Sequence, residues 1–376
     1  YKIRLGEPKI KEERRGFVSG ENECILENEG YKIVFDLKKG GTIKSLLVKK
    51  SNKEYVKKDS QFLFGELRGY FYEENQFHSS KENPAEVTLI KDNPLETSIL
   101  IRGKIASQPF TQIVTISKGQ ERIDFDLVIN WERNVGIGEY KQSNNWQEKR
   151  RAFYDTRYML SVLFPVDFSS PKLYKNAPFD VCKSKLDNTF FNSWDSIKHN
   201  VILNWIDLAD KNEKNSLALF TDHTTSYSYG ADFPLALTLQ YSGIGLWGRD
   251  YNITEPTHVK YALLPHKNLW DKASISEKSS SWNEPLIGFC SPNFDFENKS
   301  FIDLQKSGYE LSSVQILNNG ILIRLFNSEG DSSAQKIKLC FPFKNVEEIE
   351  LNGKKKEMNS SIQAILGNEI QLSIPR

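Results

Sequence analysis

The chain has 376 residues, 39% hydrophobic and 12% aromatic, which supports a packed globular protein and excludes an intrinsically disordered one. Its 50 basic and 49 acidic residues cancel, which excludes a global field steering it toward nucleic acid or anionic lipid. No apolar run approaches the roughly 20 residues needed to span a bilayer, and the length suggests two domains or one large sandwich with a satellite.

Residues 1–20 are mostly charged, and Lys9 to Arg15 reads Lys-Ile-Lys-Glu-Glu-Arg-Arg. They are expected to be a connector from an upstream domain, in a chain that starts at Tyr1 partway through a longer polypeptide. From Glu23 to Leu47 two strands flank a Gly40-Gly41 turn, carried by Ile33, Phe35, Ile43 and Leu46. The stretch Phe62-Leu-Phe-Gly-Glu-Leu-Arg-Gly-Tyr-Phe-Tyr72 is rich in aromatics, and its two glycines argue against a helix. Such a cluster serves either as a sugar-stacking platform or as packing for the mouth of a sandwich.

Between Ala85 and Asn130 the pattern gives long strands at Glu86–Ile90, Glu96–Ile105, Phe110–Ser117 and Arg122–Ile129. Turn signals at Asp92-Asn-Pro94, Gln108-Pro109 and Lys118-Gly-Gln120 separate them. Serial strands without intervening helices indicate an antiparallel sandwich rather than βαβ units. Asn134 to Arg157 is polar, with Trp146 its main apolar group, and reads as a long loop over one rim. Strands resume at Tyr158–Phe164, Val201–Trp205 and Leu217–Phe220.

The stretch from Leu235 to Trp270 is the most informative. Leu235, Leu237 and Leu239 alternate with Ala236, Thr238 and Gln240, the period of a strand with one apolar face. Gly243-Ile-Gly-Leu-Trp-Gly248 then spells G-x-G-x-x-G, but Asp250 to Pro256 brings β-branched residues and a proline where a phosphate-binding helix would have to start. A tight loop between two strands is expected instead. The next strand places His258, Lys260 and Ala262 on one face and Val259, Tyr261 and Leu263 on the other, and Pro265 is expected to stop it. Beyond Pro292 shorter strands follow at Ser313–Leu317, Ile321–Phe326, Gln335–Leu339, Val346–Leu351 and Ile370–Ile374. Asn318-Asn-Gly320 and Asn352-Gly353 supply hairpin turns.

An ordered series of short motifs carries a resemblance. Asn28-Glu-Gly-Tyr-Lys-Ile-Val-Phe-Asp36 and Gly41-Thr-Ile-Lys-Ser-Leu46 come first. Glu121-Arg-Ile-Asp-Phe-Asp126, Asn130-Trp-Glu132, Phe164-Pro-Val-Asp167 and Ala177-Pro-Phe179 follow. His258, Tyr261-Ala-Leu-Leu-Pro-His266, Asn283-Glu-Pro-Leu286 and Ile321-Leu-Ile-Arg-Leu-Phe-Asn327 complete it. Across roughly residues 22–376 the series resembles the C-terminal all-β half of family 38 glycoside hydrolases, the retaining α-mannosidases. The resemblance implies an all-β fold: a large antiparallel supersandwich of the galactose-mutarotase type over residues 21–290, then a small β-domain over 291–376. It also implies that the paired carboxylates and the zinc belong to an N-terminal α/β domain, whose motifs have no counterpart here. The implied partners are that catalytic domain and a mannose-containing glycan.

Candidate site residues follow from the same stretch. In related enzymes this strand ends near an Arg that reaches the sugar, but here it reads Leu239-Gln-Tyr-Ser242. Arg249 would substitute from the loop, because its planar donors suit vicinal hydroxyls. Trp247 would stack on a pyranose, with Tyr241 and Asp250 beside it at the rim. On the plain structural reading Trp247 is buried and an Arg249–Asp250 surface pair caps it. No catalytic residue, metal ligand or cofactor is assigned within the chain. None of the five histidines has H-x-H or H-E-x-x-H spacing, and hydrogen bonding is the expected role of His258 and His266. Asp222-His-Thr-Thr-Ser226 offers triad types, which only geometry can turn into a triad. Cys24, Cys182, Cys290 and Cys340 have no C-x-x-C spacing and are expected as free buried thiols. Two other functions stay open: a stand-alone carbohydrate-binding module, and an epimerase or lyase on a mutarotase-like fold.

Overall fold

A computed structural model of the chain describes residues 16–139, 155–184, 200–230, 232–287, 300–305, 308–318, 320–350, 352–356 and 360–375, apart from 245–249. The fold is all-β, built from antiparallel sheets. Among the described residues there is one α-helix, Ile275–Asn283. The chain divides into two compact units, one from residues 1–175 and 183–269 and the other from 176–182 and 270–376.

The first unit carries three main sheets. A five-stranded meander runs through Phe17–Ser19, Glu23–Glu27, Tyr31–Asp36, Thr42–Val48 and Lys53–Glu54 in chain order. A six-stranded sheet places Val201–Ile202, Thr225–Gly230, Phe233–Gln240, Leu160–Phe164, Glu66–Phe71 and Gln76–Ser79 side by side. In the largest sheet Trp205–Ala209, Asn215–Thr221, Thr257–Lys267, Ile123–Ile129, Gln108–Ser117, Glu96–Ile105 and Glu86–Asp92 follow one another.

Period-two sequence produces one-sided burial. Gln108–Ser117 and Ile123–Ile129 alternate strictly between buried and half-buried residues. Leu160–Phe164 and Trp205–Ala209, apolar except for Ser161 and Asp207, are buried on both faces instead. The inner faces of all three sheets share one core, to which Ile33, Phe35 and Leu46, Leu67 and Leu237, and Val114, Leu219 and Leu263 contribute. Each fully buried side chain of this size stabilises by about 1.5–3 kcal/mol. Tyr261 ties the layers together. Its ring stacks on Phe125 at 4.7 Å and meets Phe164 of the six-stranded sheet at 5.9 Å. Its buried hydroxyl donates to Gln112 Oε1 at 3.0 Å, so the polar tip is satisfied.

Three local expectations are corrected. Pro265 does not end its strand, which continues to Lys267. Pairing with Ile123–Ile129 stops at Leu263, while pairing with Asn215–Thr221 includes Leu217 opposite Pro265. The strand is therefore open on one side there, and the missing N–H falls where no ladder bond is needed. Residues 346–350 form no strand; Ile349 makes only an isolated bridge to Lys355. Of the cysteines, Cys24 is buried, Cys182 is half-buried and Cys340 is exposed; all three are free thiols, and Cys290 lies outside the described residues.

The second unit holds a sheet of Ile302–Asp303, Gln335–Leu339, Glu369–Leu372 and Ile362–Leu366 and a separate hairpin, Tyr309–Leu317 with Gly320–Asn327. Its small core gathers Tyr309, Ile337, Leu339, Ile370 and Leu372. The Tyr309 hydroxyl donates to Leu372 O at 2.9 Å, pinning the hairpin to the sheet.

Candidate substrate rim

Register sets one end of the six-stranded sheet. Leu160 pairs with Gln240 and Ser161 with Arg68, so the ends of Glu66–Phe71 and Phe233–Gln240 lie on either side of the start of Leu160–Phe164. Residues 134–139 thread between those two strand ends. Tyr72 N donates to Gly136 O at 3.1 Å, Gly138 N to Tyr70 O at 2.9 Å, and Ser242 N to Ile137 O at 3.0 Å. The fully buried Ser242 hydroxyl accepts from Ile137 N at 2.8 Å and donates to Val135 O. Asn134 extends the clasp, donating to Asn252 Oδ1 at 2.9 Å and accepting from Ile253 N at 2.8 Å.

Tyrosines stand on this clasp. The Tyr72 ring lies against Gly136 and Gly243, close enough that a methyl group on Gly136 would sit 2.2 Å from Cζ of Tyr72. Gly243, with φ +122°, opens the short hairpin in which it pairs with Tyr251 and Ile244 pairs with Asp250. Tyr241 and Tyr251 face each other at 5.6 Å, and Tyr251 is 39% exposed. Burial first, then the neighbouring Tyr251, raises the Tyr241 phenol above its ordinary range. Gln240 accepts from Tyr241 N at 2.9 Å and donates to Thr257 Oγ1 at 3.1 Å. It is a strut for the rim.

Of the residues singled out from sequence, Tyr241 stands on this rim. Trp247 and Arg249 lie outside the described residues, as does the side chain of Asp250. The G-x-G-x-x-G reading as a nucleotide loop fails on the hairpin itself, since an antiparallel strand, Asp250–Tyr251, stands where the helix would start. Sequence reasoning missed Asn134, Ser242 and Tyr251, and reached Tyr72 only as the last residue of the aromatic stretch that begins at Phe62. The only local signals were the glycines at 136 and 243, whose partner ring, that of Tyr72, lies far off in sequence, in the turn after Glu66–Phe71.

Each described histidine is held by a carboxylate. His78 contacts Glu74 at 2.7 Å, His223 contacts Asp222 at 2.7 Å, His258 contacts Asp126 at 2.6 Å and buried His266 contacts Asp207 at 3.0 Å. Among the described residues no three His, Cys, Asp or Glu side chains gather in a way that could hold a metal ion. Ser226 Oγ donates to Thr238 Oγ1 at 2.9 Å and not to His223, so the triad types around Asp222 do not form a triad.

No curated protein matches the sequence. Among solved structures, an α-mannosidase from Enterococcus faecalis V583 superposes with a TM-score of 0.65 at 15% identity, covering 89% of this chain and 40% of that one. A protein in glycosyl hydrolase family 38 from Enterococcus faecalis superposes with a TM-score of 0.67 at 14% identity, covering 98% of this chain and 46% of that one. This chain therefore spans less than half the length of either, and at such identity the likeness establishes the fold. The family itself is established by the sequence, which matches the glycosyl hydrolases family 38 C-terminal domain over residues 26–242. With more than half its length matched, and with the sheets and rim described above, the chain belongs to glycosyl hydrolase family 38, as its C-terminal domain.

Proposed function

We propose that this chain is the non-catalytic β-sandwich portion of a retaining, zinc-dependent α-mannosidase, and that it supports and rims the active site of an N-terminal catalytic domain. The observation that carries the reading is the clasped rim, where Tyr241 and Tyr251 stand on a backbone network fixed by Ser242 and Asn134. Phenol hydroxyls on a rigid platform suit a pyranose, whose ring offers an apolar face and a girdle of hydroxyls. The two carboxylates of a retaining mechanism sit about 5 Å apart, and on this reading the companion domain supplies them. Zinc likewise belongs to that domain, where it would hold sugar hydroxyls; the described residues here fit no such ion.

Two results test the reading. The purified chain, with zinc added, should leave an aryl α-mannoside unhydrolysed, while the product of the full reading frame hydrolyses it. Turnover by the isolated chain would overturn the proposal. In the full-length enzyme Tyr251→Ala should lower kcat/KM by about tenfold, equivalent to about 1.4 kcal/mol of lost transition-state contact. Because Tyr251 is well exposed, its removal should move the melting temperature little; a large loss of stability with unchanged kcat/KM would make it a packing residue.

A further inference from the structure

The outer face of the six-stranded sheet carries an aromatic surface continuous with the rim. Arg68 pairs with Ser79 and Tyr70 with Phe77, so these four side chains share a face, while Leu67 and Phe71 point into the core. Tyr70, Phe77 and Tyr158 form a triangle with each pair of ring centroids 5.0 Å apart. The Arg68 guanidinium lies 3.6 Å from the Phe77 centroid and 5.4 Å from that of Phe62. All of these rings are half-exposed, although aromatics of this size usually bury more of themselves in a core. A polar fringe borders them: Glu73, Glu74, Asn75 and Gln76 are exposed, and Tyr70 OH donates to Asn75 Oδ1 at 2.7 Å. Tyr70 N donates to Tyr158 O at 2.9 Å, and Tyr70 O accepts from the 134–139 segment, so the surface shares its backbone with the rim.

We propose that the Tyr70–Phe77–Tyr158 face is a second sugar subsite, binding one pyranose of an α-linked mannan chain as it leaves the rim. The choice of sugar rests on the mannosidase reading above. Rings of this kind cover the apolar face of a pyranose, and the surrounding amides, carboxylates and guanidinium exchange hydrogen bonds with its hydroxyls. Arg68 sits over the Phe77 ring, 3.6 Å from its centroid, and the several donors of its guanidinium set it apart from a lysine, whose ammonium is a compact point charge. Burial among the rings also lowers the Arg68 guanidinium below its ordinary range, in keeping with a desolvated cation.

The experiment is a calorimetric titration of the full chain with α-linked mannotriose, with melting curves for every variant. The wild type should bind saturably, Tyr158→Ala should weaken binding by about tenfold or more, and Arg68→Lys should weaken it as well. Phe77→Leu keeps an apolar side chain without the ring; it should lose binding too, which guards against misfolding of the alanine variant. No saturable binding by the wild type, or unchanged binding by folded Tyr158→Ala and Phe77→Leu, would overturn the subsite. Loss in Tyr251→Ala with Tyr158→Ala unaffected would overturn it while leaving the rim intact. Loss in Tyr158→Ala, alongside full activity of Tyr251→Ala in the complete enzyme, would keep the subsite and reject the rim. Self-association abolished by Tyr158→Ala, without sugar binding, would make this a protein contact and overturn the proposal.

Discussion

Gly136→Ala is expected to destabilise the chain by about 2–4 kcal/mol, although it adds a single methyl group. That methyl would lie 2.2 Å from Cζ and 2.4 Å from Cε2 of Tyr72, distances that no side-chain contact tolerates. On its other side the ring already lies close to Gly243, where an added Cβ would come within 2.9 Å of its hydroxyl, so little room is left to swing toward the hairpin. Nor can the backbone yield freely, since Tyr72 N is bonded to Gly136 O and Ile137 is bonded on both sides of Ser242. Tyr72 must therefore leave its place, and the rim loses the ring beneath it. A double-mutant cycle separates this cause from any other. Tyr72→Ala relieves the clash, so the double variant should be more stable than the sum of the single losses predicts. Urea unfolding of the four proteins decides; a loss below about 0.5 kcal/mol, within the range of ordinary surface changes, would mean that the ring is free to move.

Glu329→Gln is expected to stabilise the second unit at alkaline pH and to flatten its pH dependence. Burial first, then the neighbouring carboxylates of Asp271, Glu310 and Glu277, push the Glu329 carboxyl up to about 8, and Lys272 only partly offsets them. Its Oε2 atom is buried without a hydrogen-bond partner, and its Cβ and Cγ press against Gly308. Nearby, Glu310 accepts from Ser280 Oγ at 2.8 Å, which ties the helix Ile275–Asn283 to the hairpin. In the unfolded chain Glu329 ionises near 4.5, whereas in the fold it keeps its proton to about 8. The unfolded state thus holds fewer protons between those values, and stability falls as pH rises through that window. After screening of a group that water partly reaches, the loss should be about 2 kcal/mol by pH 8. Melting curves of the two proteins should converge near pH 4.5 and separate progressively toward pH 8. Curves that stay parallel would show that Glu329 titrates normally.

What the sequence determined by itself is local. Period-two alternation in Gln108–Ser117, Ile123–Ile129 and Tyr31–Asp36 marks strands with one apolar face, because side chains on a pleated strand alternate between its faces whatever lies beyond. The Asn318-Asn-Gly320 signal marks the place of a hairpin, in which Leu317 pairs with Gly320, so that the glycine opens the second strand. The ordered motifs identify the family, which the match over residues 26–242 establishes. Weak periodicity hid other elements. Helix Ile275–Asn283 has three serines in a row and few apolar residues to form a stripe, and Pro265 reads as a stop until its neighbours in the sheet are known. The rim was beyond local reading. Tyr241 could be named from its place at a strand end, but Tyr72, Gly136 and Gly243 meet only because three segments far apart in the chain converge at one sheet end. Periodicity says which way a side chain points along its own strand; the register between strands, fixed by packing of the whole core, decides what it touches.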